Sequence, residues 1–164
     1  MNMNAKLSPH FILGEMTKTS AKGLDNTPSH AAVMNLKNLC ENWLEELRYT
    51  YNSLYCLKPG EDYETSKNVE PIIITSGYRS PDVNRAVGGA DSSNHLTGCA
   101  VDIRCVGVEQ AIRYAAILLD AADDRQEDFD ELLIERNRKG HYWVHFAVRP
   151  PKEGNRRKTM FIQT

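Results

Sequence analysis

Residues 93–105 read SNHLTGCAVDIRC and contain two side chains, His95 and Asp102, that are good ligands for a metal ion. The two lie seven positions apart, which is too far for one turn of a helix. A loop that leads into a strand over residues 100–105 would let both side chains converge on one point. The small residues Gly98 and Ala100 allow the backbone to pass close to that point. This stretch therefore predicts a strand with a candidate pair of metal ligands at its beginning.

A second stretch, HYWVH at residues 141–145, carries two more histidines at the spacing of a strand. In a strand, His141, Trp143 and His145 share one face. One of these two histidines could therefore complete a three-ligand set with the pair described above. Two histidines and one aspartate that leave a fourth position open are typical of catalytic rather than structural zinc sites.

The elements around these stretches follow from apolar spacing and turn residues. We expect Thr27 to cap a helix that begins at Pro28 and ends at about Arg48 or Tyr51, because apolar residues recur there at helical spacing. Further segments are a helix over residues 108–122 and strands over residues 71–75, 129–136 and 141–148. The last two strands are joined by a hairpin turn over residues 137–140.

These elements predict a single α+β domain over residues 1–164. Its small, mostly antiparallel sheet carries the zinc site and packs on two longer helices. Three segments lie outside this frame: an N-terminal arm over 1–24, a surface loop insertion over 52–69, and a basic C-terminal tail over 150–164 that we expect to be solvated.

Composition excludes several classes of protein. The chain has 164 residues, 41% of them hydrophobic, and a formal net charge of −2, which is typical of an ordinary globular domain. This charge gives no global electrostatic basis for binding nucleic acid. No apolar run of about 18 residues occurs, so we expect no membrane span, and the N-terminus lacks the features of a signal peptide. We expect a monomer.

Three motifs in the same order resemble those of zinc-dependent D-Ala-D-Ala carboxypeptidases, and more closely the phage and bacterial peptidoglycan peptidases related to them. The motifs are SGYRSP at 76–81, SNHLTGCAVD at 93–102 and WVHF at 143–146, and the family pattern SxHxxGxAxD is matched at every fixed position. The resemblance implies that one zinc ion is bound by His95, Asp102 and His145.

The resemblance also implies residues that act on the substrate. Arg79 corresponds to the arginine that holds a substrate carboxylate or carbonyl oxygen, and Ser93 corresponds to a residue that lines the substrate pocket. We expect Tyr78, the neighbour of Arg79, to contact the substrate as well. A zinc peptidase needs a general base in addition to these groups.

The general base is where the chain departs from the family pattern. The three residues before His145 are Tyr142, Trp143 and Val144, and none can serve as a base. If the hairpin turn closes on residues 138–140, Glu135 lies opposite Trp143 on the face of His145, so we expect Glu135 to be the base. The alternative base is His141, on the same face but roughly 13 Å along the strand.

The sequence thus predicts a zinc metallopeptidase that hydrolyses peptidoglycan stem peptides, either as a D-Ala-D-Ala carboxypeptidase or as an endopeptidase that cuts between an L- and a D-residue. The alternative is a catalytically inactive, metal-bearing module of the same fold that binds cell wall or protein. We expect synthesis in the cytoplasm and action at the cell wall after export or lysis.

Overall fold

A five-stranded sheet forms the centre of the molecule in the computed structural model, which describes residues 1–164. Its strands are β1 (Ile74–Ser76), β2 (Ala100–Cys105), β3 (Glu131–Arg136), β4 (Tyr142–Ala147) and β5 (Lys158–Gln163). They lie in the order β1-β2-β4-β3-β5. All neighbouring strands are antiparallel except β3 and β5. The predicted α+β class and mostly antiparallel sheet are therefore confirmed.

The helices are α1 (Leu13–Met16), α2 (His30–Leu39), α3 (Glu45–Tyr55), α4 (Pro81–Ala86) and α5 (Val108–Arg125). All but the short α4 contribute residues to the apolar core on one face of the sheet. A π-helical segment, Cys40–Leu44, joins α2 to α3 without a break, and short 3-10 turns span Asn94–Thr97 and Pro151–Glu153. The two long helical segments are thus α2–α3 and α5, in agreement with the predicted pair of longer helices.

The first long helix begins and ends later than predicted. Its cap is Ser29, whose hydroxyl accepts a hydrogen bond from the backbone N–H of Ala32 at 3.2 Å. The hydroxyl of Thr27 instead donates to Asp25 at 2.6 Å, so it does not serve as the cap. The helix continues to Tyr55, and its last turn occupies the beginning of the segment predicted as a surface loop.

Alternation along the strands separates the apolar core from the opposite face. Val101, Ile103, Val144 and Phe146 are fully buried against the helices, and the ring of Phe146 lies 5.1 Å from that of Trp43. Burying each such side chain contributes about 1.5–3 kcal/mol. Because side chains alternate, the residues between them point to the other face of the sheet, which we call the site face.

The C-terminal segment is a strand, whereas the sequence predicted a solvated tail. Residues Lys158–Gln163 form β5 at the edge of the sheet, parallel to β3, with Lys158 next to Glu131. About half of the Met160 and Phe161 side chains is exposed, so the usual signal of a buried strand face is weak. None of the helices has both the length and the apolar character needed to span a membrane.

Candidate metal centre

Three elements bring His95, Asp102 and His145 together. His95 lies in the 3-10 turn before β2, Asp102 lies in β2, and His145 is the residue directly opposite Asp102 in β4. Their ligand atoms all lie within 4.8 Å of one another, and each residue is less than one tenth exposed. These residues, the candidate metal centre, are the ones that the resemblance implies as zinc ligands, and they form a group that could hold a metal ion.

Oxygen atoms outside the centre orient the two imidazole rings. Nδ1 of His95 lies 2.5 Å from the carbonyl oxygen of Gly77, and its Nε2 faces Asp102 at 3.3 Å. Nε2 of His145 lies 3.2 Å from a carboxylate oxygen of Glu131, and its Nδ1 faces Asp102 at 2.9 Å. Histidines that bind metals commonly donate their second N–H to such oxygens, which fixes the tautomer and aims the other nitrogen at the ion. The donor set therefore fits a divalent metal ion.

Two glycines allow the backbone to reach this arrangement. Gly98 ends the 3-10 turn with φ +72°, and a Cβ there would lie 2.5 Å from the carbonyl oxygen of Ala32 in α2. A Cβ on Gly77 would lie 2.3 Å from the carbonyl oxygen of Met16. Any side chain at either position would push the turn or the end of β1 away from its neighbour, and with it the groups that position His95.

The ionisable groups of the centre shift one another's pKa values. Burial acts to raise the pKa of Asp102, but His95 and His145 outweigh it and hold that pKa well below its usual range. Burial acts to lower the pKa of His145, yet the carboxylates of Asp102 and Glu131 raise it to about 9. Arg79 adds a further cation, with Nη2 at 2.6 Å from Asp102. The carboxylates thus favour positive charge at the centre, the condition that a bound cation would satisfy.

A cavity of 650 Å³ opens over the centre on the site face. Arg79, Ser93 and Glu135 line it together with the three candidate ligands. The Nε of Arg79 donates to the hydroxyl of Ser76 at 2.8 Å, which fixes the guanidinium beside Asp102. Ser93 caps the 3-10 turn, and its hydroxyl accepts from the backbone N–H of His95.

Two of the residues singled out in the sequence lie outside this cavity. Tyr78 belongs to the apolar core, and its backbone N–H donates to Met16 at 2.7 Å. His141 is exposed and precedes β4, in a neighbouring cleft beyond Trp143. The structure therefore does not bring Tyr78 or His141 to the candidate metal centre.

Glu135 has the position that the hairpin predicts. It is opposite Trp143 in the β3–β4 register, two pairs along from Leu133 and His145 and therefore on the same face. Burial raises the pKa of Glu135 above its ordinary value, although the charge of His145 acts in the opposite direction. A carboxylate of this kind can accept and release a proton closer to neutral pH than an exposed glutamate can.

A second group beside the centre was not identified from the sequence. Glu131 contacts His145, and Arg156 and Lys158 lie 3.1 and 3.4 Å from its other oxygen. The hydrogen bond to His145 is the main cause that lowers the pKa of Glu131 to about 2. Its spacing of four residues from Glu135 on one strand was a usable signal, because such residues share a face.

Behind Glu131 lies a buried polar network. Asp130 is fully buried and accepts hydrogen bonds from Asn94 at 2.7 Å and from two guanidinium nitrogens of Arg156 at 2.8 and 2.6 Å. Arg149 lies 3.2 Å from the same carboxylate and donates to Asn94. This network ties the residue before His95 to the residue before Glu131. Nothing in the local sequence pattern shows these contacts, which join distant parts of the chain.

Comparison with known proteins agrees with this geometry. The family model described as peptidase M15 matches residues 61–146, more than half of the chain, and the matched segment contains all three candidate ligands together with Arg79 and Glu135. None of the curated proteins compared with the chain matches it. The chain therefore belongs to the peptidase M15 family, whose members are metal-dependent peptidases.

Proposed function

We propose that the protein is a zinc-dependent peptidase that hydrolyses peptidoglycan stem peptides, as a D-Ala-D-Ala carboxypeptidase or as an endopeptidase between an L- and a D-residue. The observation that carries the proposal is the grouping of His95, Asp102 and His145 in one open cavity with Arg79 and Glu135. A metal site with only a structural role needs neither an arginine nor a desolvated carboxylate beside it. The resemblance of the motifs at 76–81, 93–102 and 143–146 supports peptidoglycan as the substrate.

The candidate ligands His95, Asp102 and His145 would hold the ion. A zinc ion held there supplies Lewis acidity, which polarises a carbonyl and lowers the pKa of water from 15.7 to about 7. Glu131 and the carbonyl of Gly77 orient the two imidazoles through their outer nitrogens. The protein part of the site is therefore fixed in place before a substrate arrives, as efficient catalysis requires.

Arg79 and Glu135 are assigned to the reacting peptide. The guanidinium of Arg79, held by Ser76 and Asp102, has donors left to stabilise the oxyanion that develops on the scissile carbonyl. A carboxylate oxygen of Glu135 takes a proton from the attacking water and delivers it to the leaving amine nitrogen. The raised pKa of Glu135 suits both transfers.

Mass spectrometry of purified muropeptides incubated with the protein tests the proposal. We expect products with zinc present, none after treatment with a chelator, and recovery when zinc is added back. Loss of a terminal alanine would identify a carboxypeptidase, whereas division of the stem peptide would identify an endopeptidase. Elemental analysis should show about one zinc per chain.

A zinc-loaded protein that binds muropeptides but cuts none would contradict the proposal. That result would favour the inactive binding module instead. The Asp102→Ala variant is the matched control, since it removes one candidate ligand and should lose both zinc and products.

A further inference from the structure

A second cleft adjoins the site cavity on the side of β1 and β2. It has a volume of 530 Å³, and Thr75, Arg104, Asn137, His141 and Trp143 are among its lining residues. Trp143 also lines the cavity over the candidate metal centre. A peptide that extends from the centre past Trp143 would therefore enter this cleft.

Arg104 is directed to the site face by its place in β2. It is opposite Trp143 in the β2–β4 register, and it follows Asp102 by two residues. Residues two apart in a strand share a face and are separated by roughly 7 Å. Arg104 is thus about two residues of an extended peptide away from the candidate metal centre.

The charge of Arg104 is unpaired, unlike that of the cations around the site cavity. Arg79, Arg156 and Lys158 each lie within 4 Å of a carboxylate. Arg104 is exposed, makes no ion pair within the chain, and lies in a cleft without an acidic lining residue. Its guanidinium therefore keeps its full set of planar donors, which match a carboxylate in a bidentate manner.

We propose that Arg104 binds a carboxylate carried by a substrate residue that flanks the scissile bond. The proposal rests on the peptidase function given above and deepens it, because it makes the substrate an anionic peptide with its charge at a fixed distance from the cleaved carbonyl. Arg79 serves the reacting carbonyl, and Arg104 selects the flanking residue. Arg104 is accordingly a residue that determines specificity.

The test compares a stem peptide whose carboxylates are all free with versions in which one carboxylate at a time is amidated. For the wild type, we expect one amidation to lower kcat/KM roughly 10–100-fold, mainly through KM, as for loss of hydrogen bonds to a charged group. Arg104→Ala should lower kcat/KM for the free acid to the same extent and should not respond to that amidation. Arg104→Lys should recover part of the preference. Arg138→Ala, which removes an exposed arginine of the β3–β4 turn, should behave as the wild type.

Two results would overturn the assignment. One is a wild-type enzyme that treats the acid and every amide alike, and the other is an equal effect of Arg104→Ala and Arg138→Ala. Calorimetric titration of the same peptides into the Glu135→Gln variant separates this proposal from the proposed function. If the wild type cuts no peptide, the peptidase function fails. Tighter binding of the free acid than of the amide in the titration, lost when Arg104→Ala is added, would still support the subsite. Absence of binding by every peptide would overturn the subsite as well.

Discussion

Glu131 and Glu135 project from the same face of β3, four residues apart, into the same cavity, and their surroundings are opposite. Glu131 touches His145 and lies within 3.4 Å of Arg156 and Lys158. Glu135 has no cationic side chain in contact and stands opposite the indole of Trp143. Attraction lowers the pKa of the first carboxyl to about 2, whereas burial raises the pKa of the second.

This difference suggests two roles for one residue type. A carboxylate that remains charged at every working pH can orient a histidine and stabilise its N–H, but it is a poor carrier of protons. A desolvated carboxylate with a raised pKa can take up a proton and release it again. The groups around each glutamate, rather than its position along β3, therefore determine its role. Glu131, at one end of the strand, orients His145, and Glu135, at the other end, is the proposed base.

The largest effect that would test this comparison is expected for Glu135→Gln. The amide keeps the shape of the side chain but cannot accept the proton, so turnover should fall roughly 10²–10⁴-fold. Metal content should not change, because Glu135 is not a candidate ligand. Steady-state kinetics of muropeptide hydrolysis together with metal analysis would measure both. His141→Ala is the control and should have little effect, and the reverse ranking of the two variants would move the base to His141.

At the opposite end of β3, Asp130→Asn should reduce stability. The variant leaves Arg149 and Arg156 without their buried counter-ion, and Arg156 is half exposed, so we expect a loss of about 3 kcal/mol in the free energy of unfolding. Denaturant unfolding of the wild type and the variant would measure this loss of stability. Asp124→Asn, which changes an exposed aspartate of α5, should leave stability unchanged.

The stability difference between wild type and Asp130→Asn should also depend on pH. The pKa of Asp130 is lowered from 3.8 to about 2, chiefly because hydrogen bonds from Arg156 and Asn94 outweigh burial. A lowered pKa in the folded state stabilises the protein fully above the ordinary value. The difference should therefore be constant above about pH 4 and decrease as the pH falls towards 2. A difference that grows in acid would contradict this ion network.

A smaller effect is expected for Glu131→Gln. The amide can still accept the hydrogen bond of His145 but no longer supplies charge, so we expect about a 10-fold loss of zinc affinity. Competition with a chromophoric chelator would measure it. Glu153→Gln, on the exposed 3-10 turn, is the matched control. If Glu131→Gln lowered turnover as much as Glu135→Gln with zinc still bound, the roles of the two ends would be exchanged.

Local sequence patterns were sufficient to predict the strands and the pairing of the part of the site that is built from β2 and the β3–β4 hairpin. Strand β2 has the predicted bounds, and its sequence AVDIRC alternates apolar side chains with Asp102 and Arg104 as a strand with one buried face does. The pairing of Glu135 with Trp143 follows from the length of the turn, since turn length fixes the register of a hairpin. The ligand set and the role of Arg79 came from the resemblance of the motifs.

The other half depends on contacts between residues that are distant in the chain. Strand β5 pairs in parallel with β3, and Lys158 is 27 residues from Glu131. Most of its side chains are exposed and show no alternating burial, and basic residues precede it, so the segment was predicted as part of a basic tail. The cations that distinguish Glu131 from Glu135 are Arg156, just before β5, and Lys158, its first residue, which is why the sequence did not separate the two glutamates.

The smallest predicted effect concerns the acidic limb of the pH profile. Glu135 must be ionised to act as the base, so activity should rise as the pH increases through its pKa. Because burial raises that pKa, the midpoint of the limb in kcat/KM should lie above the ordinary value of 4.5. The indole of Trp143 lowers the pKa of Glu135, and Trp143→Phe should therefore move the limb upwards, by less than about one pH unit. Lys158→Met, which removes the cation of β5 beside Glu131, should leave the midpoint where it is. A limb at or below pH 4.5, or one that moves with Lys158→Met and not with Trp143→Phe, would assign the titrating carboxylate to Glu131 and reverse the comparison.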